Sequence, residues 1–228
     1  MTMTLKTLNW MDRLFLKGYA KRLKSEIERR LPGRSPELYG AIEVQAAALM
    51  DANRGLVVDK ASASHLFLTS ILLASYRVLA EATGDKAIAQ EMLRGPFLET
   101  GKKGSEGMMT LLPLVTKDPF RFMVKVSKSK QAAYYGKAFE RDEVQDDDQA
   151  YSMVIRTCFY HSFFVANGAA ELMPMFCQKD NNWSDAINPD KLGFRFDRPE
   201  TLGEGGSQCV FRFSRVGEML ELPVATLT

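Results

Sequence analysis

From Leu8 to Leu31 the apolar residues Leu8, Met11, Phe15, Tyr19, Leu23, Ile27 and Leu31 recur every third or fourth position, the spacing of one stripe along a long helix. Helical texture continues to about residue 130, and beyond Gly136 extended segments take over. This change of period constrains the fold most, because a helical stripe and an alternating strand bury their apolar faces in different kinds of layer. It predicts an α+β fold, with a helical N-terminal half packed on a small antiparallel sheet formed mainly by the C-terminal half.

Punctuation supports that division. Pro32 and Gly33 stop the first helix, and Ser35 followed by Pro36 reads as an N-cap with proline in the first turn of a second helix. "NRGL" is the next breaker. An apolar helix is predicted over about 61–82, and another is entered at Gly84 and Asp85 and ends near Gly95 and Pro96. "GKKGSEGMM" reads as a flexible link into a stretch whose prolines forbid a single long helix. Later, two extended segments meet at an acidic turn around Asp146 to Asp148, and "KLGFRFDRPETL" and "SQCVFRFSR" form a second pair across "GEGG". With no internal repeat and no low-complexity tract, residues 1–228 read as one α+β domain. It comprises a basic amphipathic helix (1–34), a mainly helical part (35–130) and a sheet-containing region carrying Cys and His motifs (131–228).

Charge narrows the partners. Lys and Arg total 30 against 28 Asp and Glu, far from the basic excess of a nucleic-acid binder, so a small-molecule substrate is expected and nucleic acid is not. The first helix carries a basic face, suited to an anionic surface or a partner helix, although a solvated face on a helix packed against the body is the preferred reading. The apolar run Ala61 to Tyr76 is shorter than the ~20 residues of a membrane span and reads as a buried helix. Three cysteines form no even framework, and the N-terminus lacks the pattern of a secretory signal. Reduced thiols and a cytoplasmic location are therefore expected, with a homo-oligomer left open.

The chemistry-bearing residues crowd into "CFYHSFFVANGAAELMPMFCQKD", residues 158–180. Cys158 falls at a predicted strand-to-helix junction, where free amides and the helix dipole favour a thiolate. His161 follows one turn later, Cys177 and Asp180 share a helical face, and Cys209 alternates with Phe211 and Phe213 on the inner side of the last strand. Thiol, imidazole and carboxylate together are the parts of an activated nucleophile. The competing reading for each cysteine is a buried inert side chain, and His65 reads as a core histidine. A zinc clasp of Cys158, His161, Cys177 and Cys209 is a further alternative, but the ligands lack paired knuckles. The triple aspartate lacks the glycine and terminal glutamate of an EF-hand, and "GEGG" lacks a following Gly-Lys-Ser/Thr, so no metal or other cofactor is assigned.

"RTCFYHSFFVANGAAELMPMFCQKD", followed by "FRFDRPETLGEGGSQCVFRF", resembles the L-2-amino-thiazoline-4-carboxylic acid hydrolase family. The carrying features are Cys158 with Tyr160, Gly168 to Leu172, Phe176 to Asp180, Thr201 to Gly205 and Cys209 to Phe213, within a match over about residues 62–214. Phe159 and Val210 stand where the family often has proline and aspartate, which leaves substrate choice open. The resemblance implies hydrolytic opening of a thiazoline or cyclic amidine-like ring at a C–N bond. On this reading Cys177 is the nucleophile with Asp180 beside it, His161 is the general acid/base, and Cys158 belongs to the same catalytic set. Cys209, Tyr160, Phe164, Glu171, Thr201 and Phe211 are the expected substrate-binding residues. A cyclase or isomerase on a biosynthetic intermediate, or a non-catalytic small-molecule-binding module with a Cys/His metal clasp, are the rival functions.

Overall fold

The structure, a computed structural model, describes residues 10–216. The predicted start of the first helix at Leu8 therefore lies outside the described residues. Six helices fill the first half: α1 (Trp10–Arg30), α2 (Ser35–Ala52), α3 (Lys60–Thr83), α4 (Lys86–Glu99), α5 (Lys102–Val115) and α6 (Pro119–Lys130). One π-turn, Gln131–Tyr135, leads from α6 towards strand β1 (Glu140–Asp146). Then follow β2 (Ala150–Thr157), α7 (Phe159–Ala166), α8 (Met173–Asn181), the one-turn α9 (Pro189–Leu192), β3 (Phe194–Asp197) and β4 (Cys209–Arg215). The strands form one antiparallel sheet in the order β1-β2-β4-β3. The chain is thus α+β, with its helical half first and its sheet in the second half.

The elements form where the residue pattern asks for them. In α1 the stripe buries Tyr19, Leu23 and Ile27, while its charged side chains stay at the surface. The start of α3 is fixed by a reciprocal cap: Asp59 accepts from the Ser62 amide, and Ser62 Oγ accepts from the Asp59 amide. By length and composition α3 passes as a membrane-spanning helix, which the shorter run Ala61 to Tyr76 does not suggest. Yet 67% of its apolar window is buried among other elements, the surroundings of a core helix. Buried side chains from α1 through β4 form one continuous core.

Three boundaries differ from the sequence reading. Ser35 does not cap α2; its hydroxyl donates to the Lys24 carbonyl instead, and Arg34 occupies the N-cap. Helix α4 continues through Gly95 and Pro96 to Glu99, because Met92, Leu93, Phe97 and Leu98 keep one buried face across the breaker. The predicted flexible link is the first part of α5, held by burial of Met109 and Leu112. In each case tertiary burial outweighs local propensity.

Candidate functional site

Strand β2 ends at Thr157 and hands the chain directly to α7, whose N-cap is Cys158 with extended backbone. On α8, Cys177 and Asp180 stand three residues apart on one face, as the sequence predicts. Strand β4 turns Cys209, Phe211 and Phe213 inward, and all three are buried. Arg198 follows β3, and Tyr134 and Tyr135 come from the π-turn, a local widening that recurs at functional sites.

These segments enclose two adjoining cavities. The smaller, of about 20 Å³, is lined by Tyr135, Cys158, Tyr160, Cys177, Asp180, Arg198, Cys209 and Phe211, with apolar neighbours. The larger, of about 280 Å³, has walls that include Lys130, Tyr134, Tyr135, Asp180, Trp183 and Phe211. Its volume is near the lower end of the roughly 300–1,000 Å³ usual for small-molecule sites. Tyr135, Asp180 and Phe211 belong to both, so they form the shared wall. One side of the larger cavity is aromatic: Trp183 stacks on Phe213 with centroids 5.8 Å apart and leans on Phe196 at 4.6 Å.

Asp180 is the carboxylate of this shared wall. Its side chain is 41% exposed, and it faces Arg198, itself only 7% exposed, with Nη1 3.8 Å from Oδ2. Although part of the side chain meets solvent, desolvation by the surrounding wall pushes the Asp180 carboxyl above the usual carboxylate range, against the pull of Arg198, Lys130 and Lys179. Arg198 is held in turn: Nη1 donates to the Cys177 carbonyl at 2.9 Å and to Asn181 Oδ1 at 3.2 Å, and the guanidinium lies 4.4 Å from the Phe211 ring centroid. Its buried Nε–H has no acceptor among the described residues. Lys179 also lines the larger cavity, but its ammonium donates to the Phe97 and Thr100 carbonyls at the end of α4, and burial lowers it to about 8.

All three cysteines are free and buried. Burial raises the Cys158 thiol to about 12, although the His161 and Tyr160 amides pull it down. The expected activation at the head of α7 is therefore present as amides but loses to desolvation. Burial also raises Cys177, with Arg198 opposing. The Cys177 sulfur packs against Gly203, where an added Cβ would lie 2.6 Å away. Cys209 Sγ accepts from the Leu202 amide at 3.3 Å.

Of the predicted site residues, Cys158, Tyr160, Cys177, Asp180, Cys209 and Phe211 converge on the smaller cavity. Four do not reach either cavity. His161 offers Cys158 its backbone amide rather than its ring, because residue N3 of a helix faces the cap through its N–H. Phe164 is core, packed 5.2 Å from Phe176. Glu171 accepts from the Tyr76 hydroxyl at 2.9 Å, tying α8's approach to α3. Thr201 donates to Glu204 within its own turn. Among the described residues, no three His, Cys, Asp or Glu side chains are grouped to hold a metal ion. Arg198, Lys130 and the tyrosine pair Tyr134 and Tyr135 went unrecognised in the sequence. Their only signal is position, Arg198 just after a strand and the tyrosines at Gly136, which become site residues only once the sheet folds over α8.

The sheet, the π-turn and α8 thus gather a carboxylate, a guanidinium and three thiols around two adjoining cavities. Residues 64–213 match the family model described as L-2-amino-thiazoline-4-carboxylic acid hydrolase. The chain belongs to that family, whose name describes a hydrolase acting on a thiazoline. Among curated proteins none matches. A solved structure titled "Crystal structure of Fe(II) unliganded H-NOX protein from K. algicida" is 10% identical, covers 91% of this chain and 97% of its own, and has a TM-score of 0.37, too slight a likeness to bear on fold or function.

Proposed function

We propose that this protein hydrolyses the ring of a small thiazoline or related cyclic amidine, with Asp180 as the general base. The observation that carries the reading is the carboxylate on the wall between a cavity large enough for such a ring and a hollow of about 20 Å³. That hollow has room for about one water. Its Arg198 Nε–H, buried and without a protein acceptor, is a ready donor to that water's oxygen. A carboxyl raised by burial is a stronger base than one in water, which suits proton removal at the moment of attack.

The step balances with water alone. Asp180 takes one proton as the water oxygen bonds to the ring carbon between nitrogen and sulfur, and passes it to the ring nitrogen as the C=N electron pair moves there. Collapse turns the new hydroxyl into a carbonyl and breaks the ring C–N bond, and the hydroxyl's proton ends on the departing amine. Lys130 at the edge of the larger cavity is the cation available to a substrate carboxylate.

A Cys177 nucleophile is the second reading, supported by the nearby Arg198 charge. We favour water, because the thiol is held protonated and Gly203 already occupies its flank. Reduced thiols suit the cytoplasm, where we place the protein.

L-2-amino-thiazoline-4-carboxylic acid is the test substrate, with ring opening followed by proton NMR and thiol release by a colorimetric reagent. C–N opening releases an amine and no thiol. Asp180→Asn is expected to lower kcat on the order of 10²–10⁴-fold, the range of a lost general base, whereas Cys177→Ser leaves it within about tenfold. A complete loss in Cys177→Ser with retained folding would transfer the role to the thiol. Binding without turnover in the wild type would favour the binding-module alternative.

A further inference from the structure

His65 lies deep in α3, 2% exposed, and is ringed by Tyr134, Phe139, Phe159 and Tyr160. Its Nε2 is 2.8 Å from the Tyr134 carbonyl, and its Nδ1 is 2.8 Å from the Tyr160 hydroxyl. The Tyr160 hydroxyl is in turn 2.8 Å from that of Tyr134. A carbonyl only accepts, so Nε2 carries the proton and Nδ1 presents its lone pair. Tyr160 must then donate to Nδ1, and Tyr134 must donate to Tyr160. Two bonds thus run from the Tyr134 hydroxyl to His65, and the third, from Nε2, returns to the Tyr134 carbonyl.

The two tyrosines of this chain are cavity-wall residues. Tyr134 lines the larger cavity and Tyr160 the smaller. From these contacts we infer that Tyr134, Tyr160 and His65 form a proton relay serving the Asp180 site, with His65 Nδ1 as its store. The inference rests on the hydrolase reading for its substrate, but not for its wiring. A proton arriving on the Tyr134 oxygen sends the Tyr134 proton to Tyr160 and the Tyr160 proton to Nδ1. Both tyrosines end neutral and the imidazole becomes imidazolium, keeping its Nε2 bond. Reversal returns the proton to the leaving nitrogen.

The surroundings suit that cycle. Burial lowers the imidazole's affinity for a proton, so the store is empty at rest, while the carboxylates Asp59 at the head of α3 and Asp12 on α1 offset part of that cost. Tyr134 and Tyr160 face Asp180 and the Cys158 thiol, and burial of Tyr160 holds its phenol neutral. A histidine that merely staples α3 to the π-turn needs only the carbonyl bond; a second tyrosine continuing to a cavity wall is superfluous to that purpose.

Two arms test the relay. With wild type that opens the thiazoline ring, Tyr134→Phe and His65→Gln are each expected to lower kcat about 100-fold, the scale of assisted proton transfer, with little change in KM. The double variant falls no further, as groups acting as a unit do. Unchanged kcat in Tyr134→Phe, with an unchanged melting temperature, overturns the proposal. If wild type opens no ring, the hydrolase reading falls and the second arm decides. In ¹⁵N-histidine-labelled protein, whose two histidines are separated by comparison with His65→Gln, lowering the pH protonates Nδ1 rapidly in wild type and slowly in Tyr134→Phe. Equal protonation kinetics in the two proteins refute the relay.

Discussion

Gly203 is the residue on which the sulfur wall depends. A methyl group there would stand 2.6 Å from Cys177 Sγ and 3.3 Å from Met173 Cβ, neither of which is the far end of a flexible chain. Gly203→Ala should therefore destabilise the protein by about 1–3 kcal/mol, the range of an overpacked core. Urea unfolding of Gly203→Ala, Cys177→Ala and the double variant checks this: shortening the thiol should recover part of the loss, and strict additivity would show that the contact is not the cause. At this scale the sequence was partly legible. The three cysteines and Asp180 were visible as a set because spacing along α8 and β4 dictates facing. The imidazole assigned to them lines neither cavity, and it is the His161 amide that meets Cys158. The histidine that does touch a site tyrosine, His65, is 95 residues away in sequence from Tyr160, a pairing that only tertiary packing creates.

At the level of elements, the cap of α3 ties the helical half to the turn that carries the site tyrosines. Asp59 accepts from the Ser62 amide at 2.8 Å and also from the Lys137 amide at 2.6 Å. Gly136, at φ +63°, lets that turn come close, and any side chain there would collide with the Asp59 carboxylate. Asp59→Ala should cost about 1–2 kcal/mol, as for a lost N-cap, with Asp59→Asn recovering most of it; chemical denaturation at neutral pH reads both. The Lys137 and Ser62 amides hold the Asp59 carboxyl below its ordinary value. This contribution is therefore present above the unfolded carboxyl pKa and fades as pH falls through the lower folded one. Element types were well marked by period, and the acidic turn between β1 and β2 fell where expected. The ends of α4 and the start of α5 were not, because Pro96 and the glycines of α5 signal breaks that buried Phe97, Leu98 and Met109 override.

For the whole molecule, Lys179 links the site helix α8 to the end of α4 and makes stability depend on pH. Its folded ammonium lies at about 8 against an ordinary 10.5, because burial disfavours the charge. Between those values the unfolded chain binds more protons, so this term makes folding more favourable as pH rises from 8 to 10.5. Thermal melts of wild type and Lys179→Met should show the difference between them shifting in favour of wild type from pH 7.5 to 9.5. A pH-independent difference would mean that the ammonium is fully hydrated. Comparison of the two proteins cancels the opposite trend from thiols and phenols that burial raises, such as Cys158 and Tyr39.

Neither cavity takes a wall residue from α1, α2, α3 or α4. Apart from His65 and the carboxylates Asp12 and Asp59, the first hundred residues act on the site only through the core they build, while Met108, Met123, Trp183 and Phe196 shape the chamber itself. Exchanging a few of these wall side chains should therefore alter what the chamber holds while leaving the helical chassis and its stability untouched.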